Sequence, residues 1–334
     1  MQPFTYVKAA TASDAVRAIA AGGPGTRFLA GGTTLYDLMK LDIEAPDSIV
    51  DVIGLTELSA FDTSGTRELV FGALARMSDV AADARLARAY PALTESLWKA
   101  ASQQLRNMAS IGGNLLQRTR CAYFRGGDPF ACNKRRPGSG CSALGGIDRG
   151  HALLGGSDAC IAVYPGDWAV ALAAFDAQVD VLGPRGERTI PLEQLHREPG
   201  ATPQIETRLE REELILRIRV PVTHLGRAST YHKIRDRESY AFALASAAVA
   251  LGMRGDTVRE ARIALGGVAT RPWRARDAEQ SLIGRRLTPD LARTAGEIAF
   301  RGASAGRFNG FRIELGIRTV AEALLIAQRR TEAQ

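Results

Sequence analysis

Ser110-Ile111-Gly112-Gly113-Asn114, read beside the earlier Ala30-Gly31-Gly32-Thr33-Thr34-Leu35, decides how this chain is organised. Both are paired-glycine turns, and the first follows a short apolar run, Arg27-Phe28-Leu29, that reads as a buried strand. A helix with Leu35, Leu38 and Met39 facing inward is expected after it. Two adjacent glycines let backbone N–H groups point at an anion without side-chain obstruction, and a following helix adds the positive end of its dipole. Neither turn carries G-x-G-x-x-G or G-x-x-x-x-G-K-S/T, which leaves a Rossmann site and a P-loop unsupported. Alone, the first turn reads equally as a tight bend after a strand. Together they can hold one pyrophosphate from both sides.

Around the turns the pattern alternates between helix and strand. Ser13 is the expected cap of a helix whose Val16, Ile19 and Ala20 share a face and which ends at Gly22 and Gly23. Segments 48–53 and 68–72 read as strands, and 91–105 as one helix, with Leu93, Leu97, Ala100 and Ala101 at helical spacing, that delivers the chain to the second turn. Further on, 169–172 reads as helix and 178–182 and 213–220 as strands. A hairpin is expected from 244–253 and 258–265 around Arg254-Gly255-Asp256. Thr288-Pro289 reads as a cap with proline at the first helical position, and 311–328 as a long amphipathic helix.

At 334 residues the chain is long enough for two or three compact units, and 46% hydrophobic with 24% charged residues is an ordinary globular balance. The opening MQPFTYVKAATASDAV lacks a basic region followed by an apolar core, and no apolar run reaches membrane-spanning length. Export would then rely on a partner. The net charge of +7 is concentrated: between Gln117 and His151 there are seven basic residues and two acids. With 6% aromatics there are few stacking platforms, so nucleic acid is not indicated.

That basic stretch overlaps the segment holding all four cysteines, Cys121, Cys132, Cys141 and Cys160, spaced C-x10-C-x8-C-x18-C. No C-x-x-C pair occurs, which removes the commonest zinc-ribbon and thioredoxin patterns. A [4Fe-4S] core held by four thiolates carries net negative charge that Arg and Lys can offset, and its glycine- and proline-rich surroundings would let backbone N–H groups approach the sulfurs. Structural zinc and free thiols stay open on spacing alone. Disulfides fit poorly, because a chain of this length needs no staples.

Several further motifs occur in order: Phe71-Gly72-Ala73-Leu74, Gly166-Asp167-Trp168-Ala169-Val170-Ala171-Leu172, Tyr231-His232-Lys233, Gly266-Gly267-Val268-Ala269 and Pro272-Trp273-Arg274. With the two turns they make the chain resemble, over its whole length, the FAD-binding subunit of the xanthine dehydrogenase family of molybdenum hydroxylases. The resemblance implies an α+β fold: a two-part FAD-binding domain of the vanillyl-alcohol-oxidase/PCMH type over 1–222, then a smaller α+β domain of the carbon monoxide dehydrogenase flavoprotein type over 223–334. The cysteine-bearing insertion, about 117–160, resembles the aldehyde oxidoreductase branch with an extra [4Fe-4S] cluster, and implies ligation by Cys121, Cys132, Cys141 and Cys160.

Carried onto this sequence, the resemblance implies an FAD site made of Phe28, Leu29, Ala30, Gly31, Gly32, Thr33, Thr34 and Leu35, of Ser110, Ile111, Gly112, Gly113 and Asn114, and of Asp167 and Lys233. Asp167 would take a sugar hydroxyl, or cap the helix it precedes. Lys233 would stabilise charge at the flavin pyrimidine edge. The implied partners are a large molybdenum-cofactor-binding subunit, a small [2Fe-2S] subunit and an external electron acceptor, with no catalytic residue for the organic substrate on this chain. The implied function is electron transfer in aldehyde oxidation. The alternatives are a hydroxybenzoyl-CoA reductase-like or xanthine dehydrogenase-like complex, or a zinc-stapled scaffold without redox activity. His151, His196, His224 and His232 read as structural, with His151 and Tyr164 close in sequence to the cysteines. The implied location is the periplasm by co-export, with the cytoplasm as the alternative.

Overall fold

The computed structural model describes residues 1–332 and builds them around three small sheets. The first is parallel, with Ser48–Asp51 in the centre between Thr5–Lys8 and Thr26–Leu29. Parallel neighbours need crossovers. The first is the helix Ala12–Ala21, which buries Ala15, Val16 and Ile19 against Val50, Val52 and Leu55. Its cap is Thr11 and not the expected Ser13: Thr11 has the extended backbone a cap requires, and its hydroxyl accepts the Asp14 N–H.

The second sheet is antiparallel, in the order Phe61–Asp62, Glu68–Gly72, Leu214–Pro221, Gln178–Gly183, Gly186–Pro191. One face packs on the helices Pro91–Trp98 and Trp168–Ala174, where Phe71 meets Trp168 edge-on with ring centroids 5.7 Å apart. The single helix expected over 91–105 is broken. Pro91–Trp98 stops, Ala101 takes a left-handed φ of 50°, and Gln103–Met108 restarts under a Ser102 cap. Side-chain donors replace the missing helical ones. Arg106 binds the carbonyls of Trp98 and Ala100, while Lys233 and Arg235 both bind that of Lys99.

The third sheet, also antiparallel, runs Trp273–Arg274, Thr257–Gly266, Ala245–Arg254, Ser229–Ile234. The expected hairpin turns at Gly255, whose φ is +57°. Helices Pro289–Ala299, capped by Thr288, and Phe311–Glu332 cover one face with Val320, Ala323 and Leu324 in a core shared with Val249 and Leu251. Among the described residues no helix is long and apolar enough to cross a membrane.

Segment 117–160 is mostly irregular, with one short helix, Ala122–Arg125. It is fastened to the C-terminal part by Arg312, which is 1% exposed. Its guanidinium donates to the carbonyls of His151 at 2.7 Å, Leu244 at 2.9 Å, Arg149 at 3.2 Å and also Gly267. Burial lowers its pKa to about 10, so it stays charged at neutral pH. Arg312→Met keeps apolar bulk but strands four carbonyls, those of His151 and Gly267 buried, and is expected to cost roughly 3 kcal/mol in urea unfolding. A loss below about 0.5 kcal/mol would show that those carbonyls are satisfied without it.

Candidate nucleotide-binding cleft

The first glycine turn packs directly on the backbone that leads into the second. A Cβ added at Gly31 would lie 1.8 Å from the Met108 carbonyl oxygen and 3.3 Å from Ala109 Cα, so only glycine fits that approach. Gly32 has φ +73°, a conformation that side chains disfavour. The second turn is the start of a short helix, Ile111–Leu115, with Ser110 Oγ accepting the Gly113 N–H at 3.2 Å. Gly112 abuts Ala73, 2.8 Å from where its Cβ would be.

Between these turns opens a cleft of about 860 Å³, bordered by Leu29, Ala30, Gly31, Gly32, Thr33, Thr34, Gly113, Asn114, Asp167 and Lys233. Phe28, Leu35, Ser110, Ile111 and Gly112 are not part of that lining. Phe28 packs against the first lobe's core, Ile111 is wholly buried, and Ser110 is spent on the cap. Asp37, Arg120 and Arg125, none singled out in sequence as site residues, also border the cleft. Asn114 Oδ1 is buried without a partner, an acceptor left for a ligand.

Asp167 and Lys233 form one unit. Their buried side chains meet at 2.8 Å, and the other Asp167 oxygen accepts the Tyr231 hydroxyl at 2.5 Å. Asp167 makes no side-chain cap for the Trp168–Ala174 helix, so its carboxylate faces the lysine and not the helix end. Ser246 extends the network, 2.9 Å from the Tyr231 oxygen. The strand Ser229–Ile234 puts Tyr231 and Lys233 on one face because they are two residues apart.

The four cysteines are unpaired thiols. Cys132 and Cys141 face each other across an antiparallel bridge, His151 Nε2 lies 3.1 Å from Cys121 Sγ, and Ala162 N–H reaches Cys160 Sγ at 3.4 Å. Burial raises the Cys121 thiol and pushes Cys160 up to about 11, with repulsion from neighbouring thiols adding to both. The cations expected to offset a cluster are mostly committed elsewhere: Arg118 to Glu44 and Glu206, Arg149 to Asp236, Arg120 and Arg125 to Asp37. Lys134 is the one whose charge acts on Cys160, though it also pairs with Glu206. Among the described residues no three His, Cys, Asp or Glu side chains converge closely enough for a single metal ion.

Tyr164 and His196 belong to the second turn. Their rings lie 4.3 Å apart, and both donate to the Leu115 carbonyl at the end of the Ile111–Leu115 helix, at 3.1 and 2.8 Å. Complete burial depresses the His196 pKa to about 4.

A parallel lobe and an antiparallel lobe enclose a cleft edged by two glycine turns, an arrangement suited to a nucleotide. Residues 2–223 match the FAD binding domain in molybdopterin dehydrogenase, and residues 229–325 match the CO dehydrogenase flavoprotein C-terminal domain. The chain is 44% identical to the aldehyde oxidoreductase FAD-binding subunit PaoB of Escherichia coli K12, over 100% of both chains. It is 27% identical to the glyceraldehyde dehydrogenase medium chain of Sulfolobus acidocaldarius, over 87% of this chain and 84% of that one. Carbon monoxide dehydrogenase from Hydrogenophaga pseudoflava superposes with a TM-score of 0.77 at 26% identity, covering 99% of both chains. The chain belongs to the FAD-binding subunits of the molybdenum hydroxylase family.

The His196 clamp carries a pH signature. Its folded pKa lies below the ordinary value of 6.5, so its neutral form supports the fold above pH 6.5 and that support is lost as pH falls toward 4. The loss should reach on the order of 3 kcal/mol, measured as the difference in unfolding free energy between pH 7 and 4. His196→Gln should flatten this part of the profile. An unchanged slope would remove His196 as its source.

Proposed function

We propose that this chain is the flavoprotein subunit of a heterotrimeric molybdenum-containing aldehyde oxidoreductase, working beside a large molybdenum-cofactor-binding chain and a small [2Fe-2S] chain. The observation that carries the reading is the pair of glycine turns bordering one cleft, the first pressed on the backbone that leads into the second, in a chain 44% identical from end to end to an aldehyde oxidoreductase FAD-binding subunit. When bound, FAD supplies a carrier that takes electrons singly and passes them on singly or in pairs to an external acceptor. The chain's own residues do the holding. The N–H groups of the first turn, with the hydroxyls of Thr33 and Thr34, bind the pyrophosphate, while the second turn, whose Ile111, Gly112, Gly113 and Asn114 N–H groups already bond to Ala75, Ala73 and Ser110, shapes the facing edge of the cleft. Asn114 Oδ1 accepts from the ligand, and Asp167 offers its remaining lone pairs to a sugar hydroxyl. Lys233, with one ammonium hydrogen left after Asp167 and the Lys99 carbonyl, sets a positive charge at the flavin ring edge. No acid or base acting on the aldehyde is assigned here.

The same proposal gives Cys121, Cys132, Cys141 and Cys160 a [4Fe-4S] cluster that supports assembly and the flavin's surroundings. A lone zinc needs its thiolates converging on one point at about 2.3 Å. The thiols lie near enough to repel one another when ionised, and Cys132 faces Cys141 across a bridge, which supports one shared polynuclear core rather than scattered thiols. Thiols held above their ordinary pKa by burial ionise most readily when a metal takes the proton's place. Delivery to the periplasm on a signal-bearing partner belongs to the same proposal and rests on the resemblance.

Anaerobic tagged purification tests it. The expected product is a complex with molybdenum-binding and [2Fe-2S] chains, one flavin, and about four irons assignable to this chain. Cys132→Ser should lower that iron and the retained FAD together. Zinc in place of iron would refute the cluster, and a flavin-free complex would refute the whole reading. The isolated chain should bind FAD and oxidise no aldehyde.

A further inference from the structure

Of the seven basic residues in the cysteine-bearing insertion, Arg120 and Arg125 border the flavin cleft. They flank Cys121, Arg125 closing the short helix Ala122–Arg125. Both reach Asp37, which lies in the first turn of the Leu35–Lys40 helix, directly after the first glycine turn. Arg125 Nη2 spans the two Asp37 oxygens at 2.8 and 3.0 Å, and Arg120 Nη1 sits 3.2 Å from one of them. Two cations thus share one carboxylate. Arg120 Nε is buried with no partner, and the guanidinium rests 5.0 Å from the centroid of Phe242, another residue of the cleft wall. Arg120 Nη2 and the Nε and Nη1 of Arg125 likewise have no protein acceptor among the described residues.

An excess positive charge with unspent donors, beside a glycine turn, is the arrangement that attracts an anion. We propose that Arg120 and Arg125 bind the pyrophosphate of FAD, so that the insertion supplies the cationic half of a phosphate site whose other half is the glycine turns. This deepens the flavin reading and rests on it. Backbone N–H groups contribute partial charges, whereas a guanidinium contributes a full one with a planar fork matched to phosphate oxygens. Asp37 pre-positions the pair: its bonds to both side chains fix them at the cleft wall before the ligand arrives. The insertion therefore touches the cofactor site through its arginines as well as through whatever its cysteines hold.

The test is titration of FAD and of riboflavin, which lacks phosphates, into the flavin-stripped complex, followed by flavin fluorescence. Arg120→Gln combined with Arg125→Gln should weaken FAD roughly 10- to 100-fold, the loss expected for charge-assisted hydrogen bonds. Riboflavin affinity should stay within about twofold of wild type. Arg120→Lys with Arg125→Lys should recover part of the FAD affinity and show a steeper salt dependence than the glutamine pair. Unchanged FAD affinity in the glutamine pair would overturn the proposal, and so would an equal loss for FAD and riboflavin. A wild-type complex that takes up neither ligand would overturn the flavin reading itself, and this assignment with it.

Discussion

The close approach of Gly31 to the backbone of Met108 and Ala109 is the constraint on which the site depends. It presses the loop leaving the small parallel sheet against the segment entering the Ile111–Leu115 helix, so two turns eighty residues apart in sequence become two edges of one cleft. No side chain can enter that contact. The surrounding cores reinforce it: Ile111 and Leu115 sit with Leu93, Leu97 and Trp168 in the largest apolar cluster, while Phe28 and Ala30 pack against the separate cluster of the first lobe.

Charge is distributed around that cleft with a consistent logic. Deep in the wall, Lys233 is neutralised by Asp167, whose second oxygen is taken by Tyr231, so a buried cation is kept without an unpaired partner. At the insertion side two arginines share a single acid, leaving positive charge facing the opening. The broken helix between Trp98 and Gln103 joins these features, because the Lys99 carbonyl receives both Lys233 and Arg235. A continuous helix would have spent that carbonyl internally. Its interruption leaves that carbonyl to two side chains of the third sheet and the loop after it.

Much of this was readable in the sequence because the turns demand particular residue types. Paired glycines, a buried Asp before an apolar helix and a lysine on an alternating strand announce themselves locally, and the hairpin at Gly255 and the Thr288 cap follow from turn and cap chemistry. What could not be read was long-range. Asp37 meets Arg120 and Arg125 across more than eighty residues, and the arginines' clustering near cysteines suggested compensation of a metal centre when their bonds run to the cleft. The helix over 91–105 looked continuous because Ala100 and Ala101 keep helical spacing, and nothing local reveals that Arg106 would capture the carbonyls of Trp98 and Ala100. Thr11 and Ser13 offer the same hydroxyl, and only backbone conformation distinguishes them.

The most direct test of the clasp is the FAD affinity of Gly31→Ala, measured by fluorescence on a complex whose far-ultraviolet circular dichroism matches wild type. Adding one methyl group where 1.8 Å is available must push the first turn away from Met108. The account predicts a folded complex that binds FAD at least about tenfold more weakly. Wild-type affinity in that folded variant would contradict it.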